Sequence, residues 1–410
     1  CLSLACLLGP SNVRHHLTRN RCPSAKPVQI SACYPDQLCI IAFFETWANL
    51  EENFYNGDFH GLDWPATRDE YGQYLDHVNN RADLRLMTND MLGELNTSHF
   101  GFRSSGKEES TYYRERTLAT GILFKNDDPF VVERIAAKTP AARYGKDIKP
   151  GDRLVAVNGK KIAANQNRNH YFVQPSLDEE LTLTFDRAGA QHDVKLHPTN
   201  YFAIRNALYD EWEAQCQQMV DTKGQKRIAY VHMKNMGGGE LQRFLHDMVS
   251  EGQQRDAVIL DLRWNTGGNV HDDVLQFLSQ KPYLQWKFRD GALTPQSNFG
   301  PAVKPIILLT NEQSLSDAEM TAAGFKELGL GTIIGTETYR WIIFTSGKGL
   351  VDGSFYRLPS WGCYTLDGKD NLEKTGVAPD IEVRETLKDR LEGNDPQLER
   401  AIAEILKQLK

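Results

Sequence analysis

Three features of this sequence combine residue types and spacing suited to chemistry: a serine ahead of a helix, a glycine pair at a strand-to-helix turn, and a histidine in a turn. Ser316 lies in Asn311-Glu312-Gln313-Ser314-Leu315-Ser316-Asp317, between the apolar run Ile306 to Thr310 and a helical pattern from Asp317 to Leu328. A hydroxyl there can act as a nucleophile, with the next amide and the helix dipole facing the oxyanion it creates. Serine is equally a favoured helix N-cap, so the position also has a purely structural reading. Arg263-Trp264-Asn265-Thr266-Gly267-Gly268-Asn269 follows the buried run Ala257 to Leu262. Its glycines allow close backbone approach and free amide donors for an anion, although a glycine pair before a helix is also an ordinary turn. A serine nucleophile needs a base, and there are eleven histidines. His15 and His16 fall in a stretch without period, and His246 and His271 read as solvated residues on helices. His99 ends a helix in the turn Thr97-Ser98-His99-Phe100-Gly101, a better placement for a site residue.

Holding such groups requires a folded core, and the composition allows one. The chain has 410 residues, 40% hydrophobic and 25% charged, enough for two or three domains. A net charge of −7 and a pI near 5.9 leave no basic footprint for nucleic acid or an anionic membrane. No apolar run reaches the roughly 18 residues of a spanning helix, so a soluble protein without a membrane span is expected. Of seven cysteines, Cys1, Cys6, Cys22, Cys33 and Cys39 crowd the start, and only Cys216 and Cys363 follow. That is no disulfide framework, and without a CxxC pair no structural zinc is expected. The apolar opening Cys1 to Pro10 lacks an initiating Met and a basic region; it reads as an arbitrary fragment end rather than the remnant of a signal or lipoprotein sequence. Residues 1–37 show no period and are expected to be poorly ordered.

The remaining pattern divides into three units. Residues 38–105 read as a helical unit: 38–56 and 83–95 carry apolar residues at helical spacing, with Asp83 as N-cap of the second and Ser98-His99 at its end. Residues 117–198 read as a β-rich domain, with strands at Gly121 to Phe124 and Phe130 to Ile135, a short helix at Thr139 to Arg143, a strand and hairpin turn through Asn158-Gly159, and alternation at Leu181, Leu183 and Phe185. This order resembles a PDZ domain, in which the loop matching Gly121-Ile122-Leu123-Phe124 caps a peptide carboxylate with backbone amides; a spacer barrel is the alternative. Residues 199–405 alternate strand and helix, which predicts an α/β domain with a largely parallel sheet and a site at the carboxyl ends of its strands. The fold class is therefore α/β and multidomain.

Together these segments resemble the tricorn peptidases, a branch of the C-terminal-processing peptidase superfamily, over roughly residues 40–405. The marks are Asn53-Phe54-Tyr55 with His60-Gly61-Leu62-Asp63-Trp64; Met91-Leu92-Gly93-Glu94-Leu95 with Ser98-His99; Asp261-Leu262-Arg263 with Asn265 and Gly267-Gly268; Thr310-Asn311-Glu312 with Ser316-Asp317; and Glu373 with Gly376-Val377-Ala378-Pro379-Asp380-Ile381. The resemblance implies a serine peptidase acting on peptides or unfolded segments, with a tetrad of Ser98, His99, Ser316 and Glu373. In it Ser98 orients the imidazole and is held in turn by Glu373, and the amides of Gly268 and Asp317 form the oxyanion hole. It implies no metal or organic cofactor and a homo-oligomer, plausibly hexameric. A cytoplasmic location is favoured by the resemblance and by the lack of a disulfide framework, with cell envelope or secretion as the alternative.

This sequence departs from the family in three places. The two β-propellers ahead of the tricorn core are not expected here. The acidic residue selecting basic P1 side chains precedes a Gly-x-Leu-x-Pro stretch, here Gly291 to Pro295; the matching position is Trp286, next to Lys287, with Asp290 out of register. Apolar or aromatic P1 residues are therefore expected over Arg and Lys. Tyr339-Arg340-Trp341 stands where the family tends to have glycines. Two rival readings remain: a Ser–Lys dyad using Lys348 of Ser346-Gly347-Lys348-Gly349, and an inactive PDZ scaffold. An esterase is disfavoured, because no Gly-x-Ser-x-Gly elbow surrounds Ser316.

Overall fold

The computed structural model describes residues 35–106, 116–163, 165–174, 176–295 and 304–409. Helix α1 (Pro35–Asn53) begins inside the segment expected to lack order, so residues 35–37 are helical; residues 1–34 lie outside the described part. Helices α2 (Trp64–Gly72) and α3 (Arg81–Gly93) close with α1 over Phe43, Leu50, Trp64, Leu84 and Met91. Asn80, not Asp83, caps α3: its side chain accepts the Asp83 amide, one of the donors a helix start leaves open. After α3 the chain turns through Asn96 and His99, both at positive φ (43° and 61°), into the short strand β1 (Phe102–Arg103).

The β-rich unit contains β2 (Arg116–Thr117), β3 (Ile122–Phe124), β4 (Val132–Ile135), β5 (Arg153–Val157), β6 (Lys160–Lys161), β7 (Val173–Gln174), β8 (Leu181–Arg187) and β9 (Ala190–Leu196). Strands β6-β5-β8-β9 form an antiparallel sheet, while β2 pairs with β7 and β3 with β4. Asn158 and Gly159 both take positive φ (48° and 75°), as a two-residue hairpin turn between right-twisted strands requires. Leu181, Leu183 and Phe185 point into the core from alternate positions of β8.

The third unit runs through α4 (Tyr201–Lys223), β10 (Ile228–His232), α5 (Gly238–Gln254), β11 (Ala257–Asp261), α6 (His271–Leu278), β12 (Gln285–Trp286), β13 (Thr294–Pro295), β14 (Ile306–Thr310), α7 (Asp317–Glu327) and β15 (Thr332–Gly335). It continues with β16 (Ile343–Gly349), β17 (Phe355–Gly362), α8 (Leu372–Thr375), β18 (Ile381–Glu382), α9 (Leu387–Glu392) and α10 (Pro396–Gln408). Five strands pair in parallel in the order β10-β11-β14-β15-β18. Val258, Leu260 and Leu308 face α5, α6 and α7 on one side, and Ile259, Ile307 and Leu309 face α4 and α10 on the other. Both faces are covered, which is why these strands read as unbroken apolar runs.

One pairing decides where the site forms. Strand β1 pairs antiparallel with β17, which pairs with β16, and Tyr356 and Leu358 of β17 enter the core of the helical unit. The Ser98-His99 turn is thereby anchored to the α/β unit. Among the described residues no helix is long and apolar enough to cross a membrane.

Candidate active site

The loops after β11 and β14 are stitched together by directional hydrogen bonds. Trp264 N donates to Asn311 Oδ1 (3.0 Å), Leu315 N to the Asn265 carbonyl (3.1 Å) and Ser314 Oγ to the Leu262 carbonyl (2.7 Å). Asn265 is buried; its Oδ1 accepts Gly267 N (2.9 Å) and its Nδ2 donates to the Met233 carbonyl (2.7 Å). Below them Arg263, Asp261 and Asp395 form a buried ion network (2.7 and 2.8 Å), completed by Tyr230 Oη on Asp261 (2.9 Å).

Ser316 sits at φ 56° and ψ −116° ahead of α7, a conformation that a residue with a Cβ adopts at a cost of about 1–3 kcal/mol. Gly267 lies directly against it: a Cβ at that glycine would fall 2.8 Å from Ser316 Cβ and 3.4 Å from Asp317 N. Among the described residues neither Gly268 N nor Asp317 N has an acceptor, whereas the amides flanking Gly268 are taken by Asn265 Oδ1 and the Met236 carbonyl. Two amides that are free among the described residues thus belong to the residue after Ser316 and the residue after the glycine packed on it.

The Asp317 side chain faces the other way. Its Oδ2 accepts Val270 N (2.7 Å) and His271 N (3.1 Å), and its Oδ1 meets His271 Nδ1 (2.5 Å). His271, the first residue of α6, is therefore tied to Asp317 at the start of α7 rather than solvated, and the Asp317 contact raises its pKa above the usual imidazole value.

His99 is only 6% exposed, and its Nδ1 lies 3.1 Å from Arg357 Nη1 and its Nε2 3.1 Å from the Trp341 carbonyl. A guanidinium only donates, so Nδ1 accepts, and the ring proton resides on Nε2 and points to Trp341. Burial, and then Arg357, lower the His99 pKa below the usual value. Glu373 Oε1 accepts Ser98 N (2.6 Å) and Thr97 Oγ1 (2.7 Å), and its Oε2 accepts Tyr55 Oη (3.0 Å). Glu373 thus reaches Ser98 through the backbone amide and not through the hydroxyl; Ser98 Oγ is buried without a partner.

Sequence reasoning missed the residue that joins these halves. Glu319 is fully buried; its Oε2 accepts Ser316 N and Trp341 N (both 2.8 Å), and its Oε1 accepts Arg340 N and Thr338 Oγ1 (both 2.7 Å). The Ser316 turn and Trp341, whose carbonyl holds His99, are thereby fixed to one carboxylate. Burial raises its pKa, and the four donors draw it back. The spacing Ser316-x-x-Glu319 is a capping-box signature and could have flagged it. Tyr55, which holds Glu373 and bonds His60 Nε2 (2.8 Å), was noted only as part of a motif.

The other expected residues lie apart from this network. Lys348 Nζ bonds Asn49 Oδ1 of α1. Trp286 is 63% exposed on the β12–β13 hairpin, with Tyr283, Leu284 and Phe288 also exposed. Ile122, Leu123 and Phe124 form β3, whose second edge is unpaired among the described residues, and Gly121 (φ 89°) packs on Thr139. A cavity of about 780 Å³ opens beside α4, with Trp212, Lys234, Trp264 and Thr266 in its wall. No group of metal-ligating side chains occurs among the described residues.

Residues 227–383 match peptidase family S41, residues 42–93 the tricorn protease C1 domain and residues 90–179 the PDZ domain. These matches, which follow one another along the chain, support a serine peptidase of the S41 type that is similar to the tricorn proteases. It is 29% identical over 377 residues to tricorn protease homolog 1 of Streptomyces coelicolor, covering 88% of this chain and 34% of that protein. It is 25% identical over 374 residues to the tricorn protease of Thermoplasma acidophilum (89% and 34%), and 25% identical over 262 residues to carboxy-terminal processing protease CtpA of Bacillus subtilis (59% and 51%). The crystal structure of the tricorn protease superposes with a TM-score of 0.75 at 24% identity, over 91% of this chain and 37% of that one, a likeness in fold. The chain spans about a third of the length of the tricorn relatives it matches.

Proposed function

We propose that the chain hydrolyses peptide bonds in peptides or unfolded protein segments through an acyl-enzyme on Ser316, with His99 as general base. The observation that carries this reading is Ser316 at a strained left-handed φ, flanked by the unoccupied amides of Gly268 and Asp317. In the reaction His99 Nε2 takes the Ser316 proton, the two amides receive the oxyanion, and the imidazolium gives its proton to the leaving amine. Each oxyanion donor contributes about 3–4 kcal/mol to the transition state in comparable hydrolases. Ser98 Oγ receives Nδ1–H when the base is in its working tautomer, and Glu373 holds the Ser98 backbone.

The Ser–Lys alternative is disfavoured because Asn49 engages Lys348. The open edge of β3 suits an added peptide strand, with the Gly121 to Phe124 segment as its receptor. Trp286 and Lys287 favour apolar P1 side chains over basic ones. A homo-oligomer follows from the resemblance to tricorn alone.

Fluorophosphonate labelling with peptide mapping tests the assignment without a known substrate. Labelling at Ser316 that is lost in Ser316→Ala, together with peptide cleavage by the parent chain, is expected. A chain that labels nowhere and cleaves no peptide is the inactive scaffold instead.

A further inference from the structure

The hydrogen bonds around His99 hold it in the wrong tautomer for a base. A base towards Ser316 needs Nε2 unprotonated, yet Arg357 occupies Nδ1 as a donor and the Nε2 proton is committed to the Trp341 carbonyl. The acceptor that the working tautomer would use, Ser98 Oγ, is buried and without a partner. Arg357 is exposed on β17, and the one hydrogen bond its guanidinium makes among the described residues is to the imidazole. Glu373, the carboxylate that acts on His99 electrostatically, is already engaged by Ser98 N, Thr97 Oγ1 and Tyr55 Oη. A neutral imidazole is a poor partner for a guanidinium, whose planar fork matches a carboxylate.

We propose that Arg357 determines specificity by binding a substrate carboxylate on the leaving-group side of the scissile bond, and that this contact releases His99 to act as base. The proposal rests on the assignment of His99 as the base. The side follows from the chemistry: the imidazole must reach the leaving amine, so residues after the scissile bond pass the ring, and Arg357 stands at its far nitrogen. Once Arg357 turns to the carboxylate, Nδ1 is free to carry the proton, which moves there from Nε2 by exchange with water, and Nδ1–H donates to Ser98 Oγ. The Nε2 lone pair then faces the Trp341 carbonyl lone pairs, and repulsion swings the ring away from Trp341. Trp341 cannot follow, because its amide shares Glu319 Oε2 with Ser316 N. Nε2 then accepts the proton of Ser316 Oγ. Without the carboxylate the site stays latent.

Two readouts on the full chain test this. The first compares kcat and KM for C-terminally amidated peptides with Glu or Gln at the first two positions after the scissile bond, and for Gln peptides with a free C-terminus. A charge-assisted bidentate contact predicts roughly tenfold higher kcat/KM with a carboxylate, chiefly in kcat. The two carboxylate arms identify whether a side chain or the chain terminus supplies it. In Arg357→Gln the ratio collapses to about one and turnover of the neutral amidated peptide rises; Arg357→Lys keeps part of the preference. A ratio near one in the parent chain, or one unchanged in Arg357→Gln, overturns the proposal. The second readout is the ¹⁵N chemical shifts of His99 in Ser316→Ala, which need no turnover and so separate this idea from the peptidase reading. The Nε2–H form is expected in the free protein and the Nδ1–H form with the Glu peptide but not the Gln peptide. Identical tautomers in both complexes would sink it.

Discussion

Replacing Gly268 by alanine tests the oxyanion assignment with a magnitude set by the structure. A Cβ on Gly268 would lie 2.0 Å from the Met236 carbonyl oxygen and 2.3 Å from its carbon, both backbone atoms that no rotamer can move. Real contacts stay beyond 3.0 Å, so the two segments must part by about 1 Å (3.0 − 2.0). That shift breaks the bridge formed by Met236 N on the Gly267 carbonyl and Asn269 N on the Met236 carbonyl (both 2.8 Å). Two backbone hydrogen bonds contribute about 1–3 kcal/mol together, so a Tm fall of roughly 5 °C is expected. The larger effect is on catalysis, because the Gly268 amide moves away from the oxyanion. Loss of one such donor lowers kcat by about 10²–10³, with KM nearly unchanged. Steady-state hydrolysis of one peptide, with a melting curve for each variant, measures both. Gly324→Ala is the control: its Cβ would meet only the Leu275 side chain, with Cδ1 at 2.3 Å, and no backbone, so stability should fall by about 1–3 kcal/mol while kcat holds. A Gly268→Ala enzyme that melts lower but keeps kcat within threefold would refute the role of that amide.

Three further outcomes follow from the same geometry. Ser316→Gly and Ser316→Ala should both be inactive, but the glycine variant should be more stable by about 1 kcal/mol in urea denaturation, since only glycine adopts φ 56° without strain; equal stabilities would mean the turn stores none. His99→Ala should lower kcat by on the order of 10⁴ and Lys348→Ala far less; the reverse order would restore the Ser–Lys dyad. Because burial and Arg357 lower the His99 pKa, the acid limb of kcat/KM should fall below 6.5 and move up towards it in Arg357→Gln. The same shift makes the unfolded chain bind the proton first, so the stability contributed by His99 is complete above pH 6.5 and is lost as pH drops through the folded value. An acid limb above 6.5 in the parent enzyme would contradict that environment.

Much of this protein was legible in local pattern. The unbroken apolar runs at 257–260 and 306–309, each followed by a helical period, announce buried parallel strands, because only a sheet covered on both faces selects residues that way. Gly267-Gly268 and Ser316 stood out because strand ends are where backbone amides become free. Helix α10 was just as legible, with Leu398, Ala401, Ile402 and Ile405 on one face, and went unread, as did the Ser316-x-x-Glu319 signature. Helix α4 buries only Ile204, Cys216 and Val220 among its 23 residues and carries little period to read.

The partners of each polar atom were decided by tertiary structure. His99 meets Trp341 and Arg357 across 242 and 258 residues of sequence, and Lys348 meets Asn49 across 299. No periodicity encodes such pairs: they exist because β1 pairs with β17 and carries the end of the helical unit to the α/β unit. A sequence can name a histidine as a base, but the tautomer depends on which donor reaches Nδ1, and that is fixed only when distant elements pack. The residue types and backbone turns of the site were therefore local information, while the tautomer of His99 and the reach of Glu319 to Arg340 and Trp341 arise from contacts between distant elements.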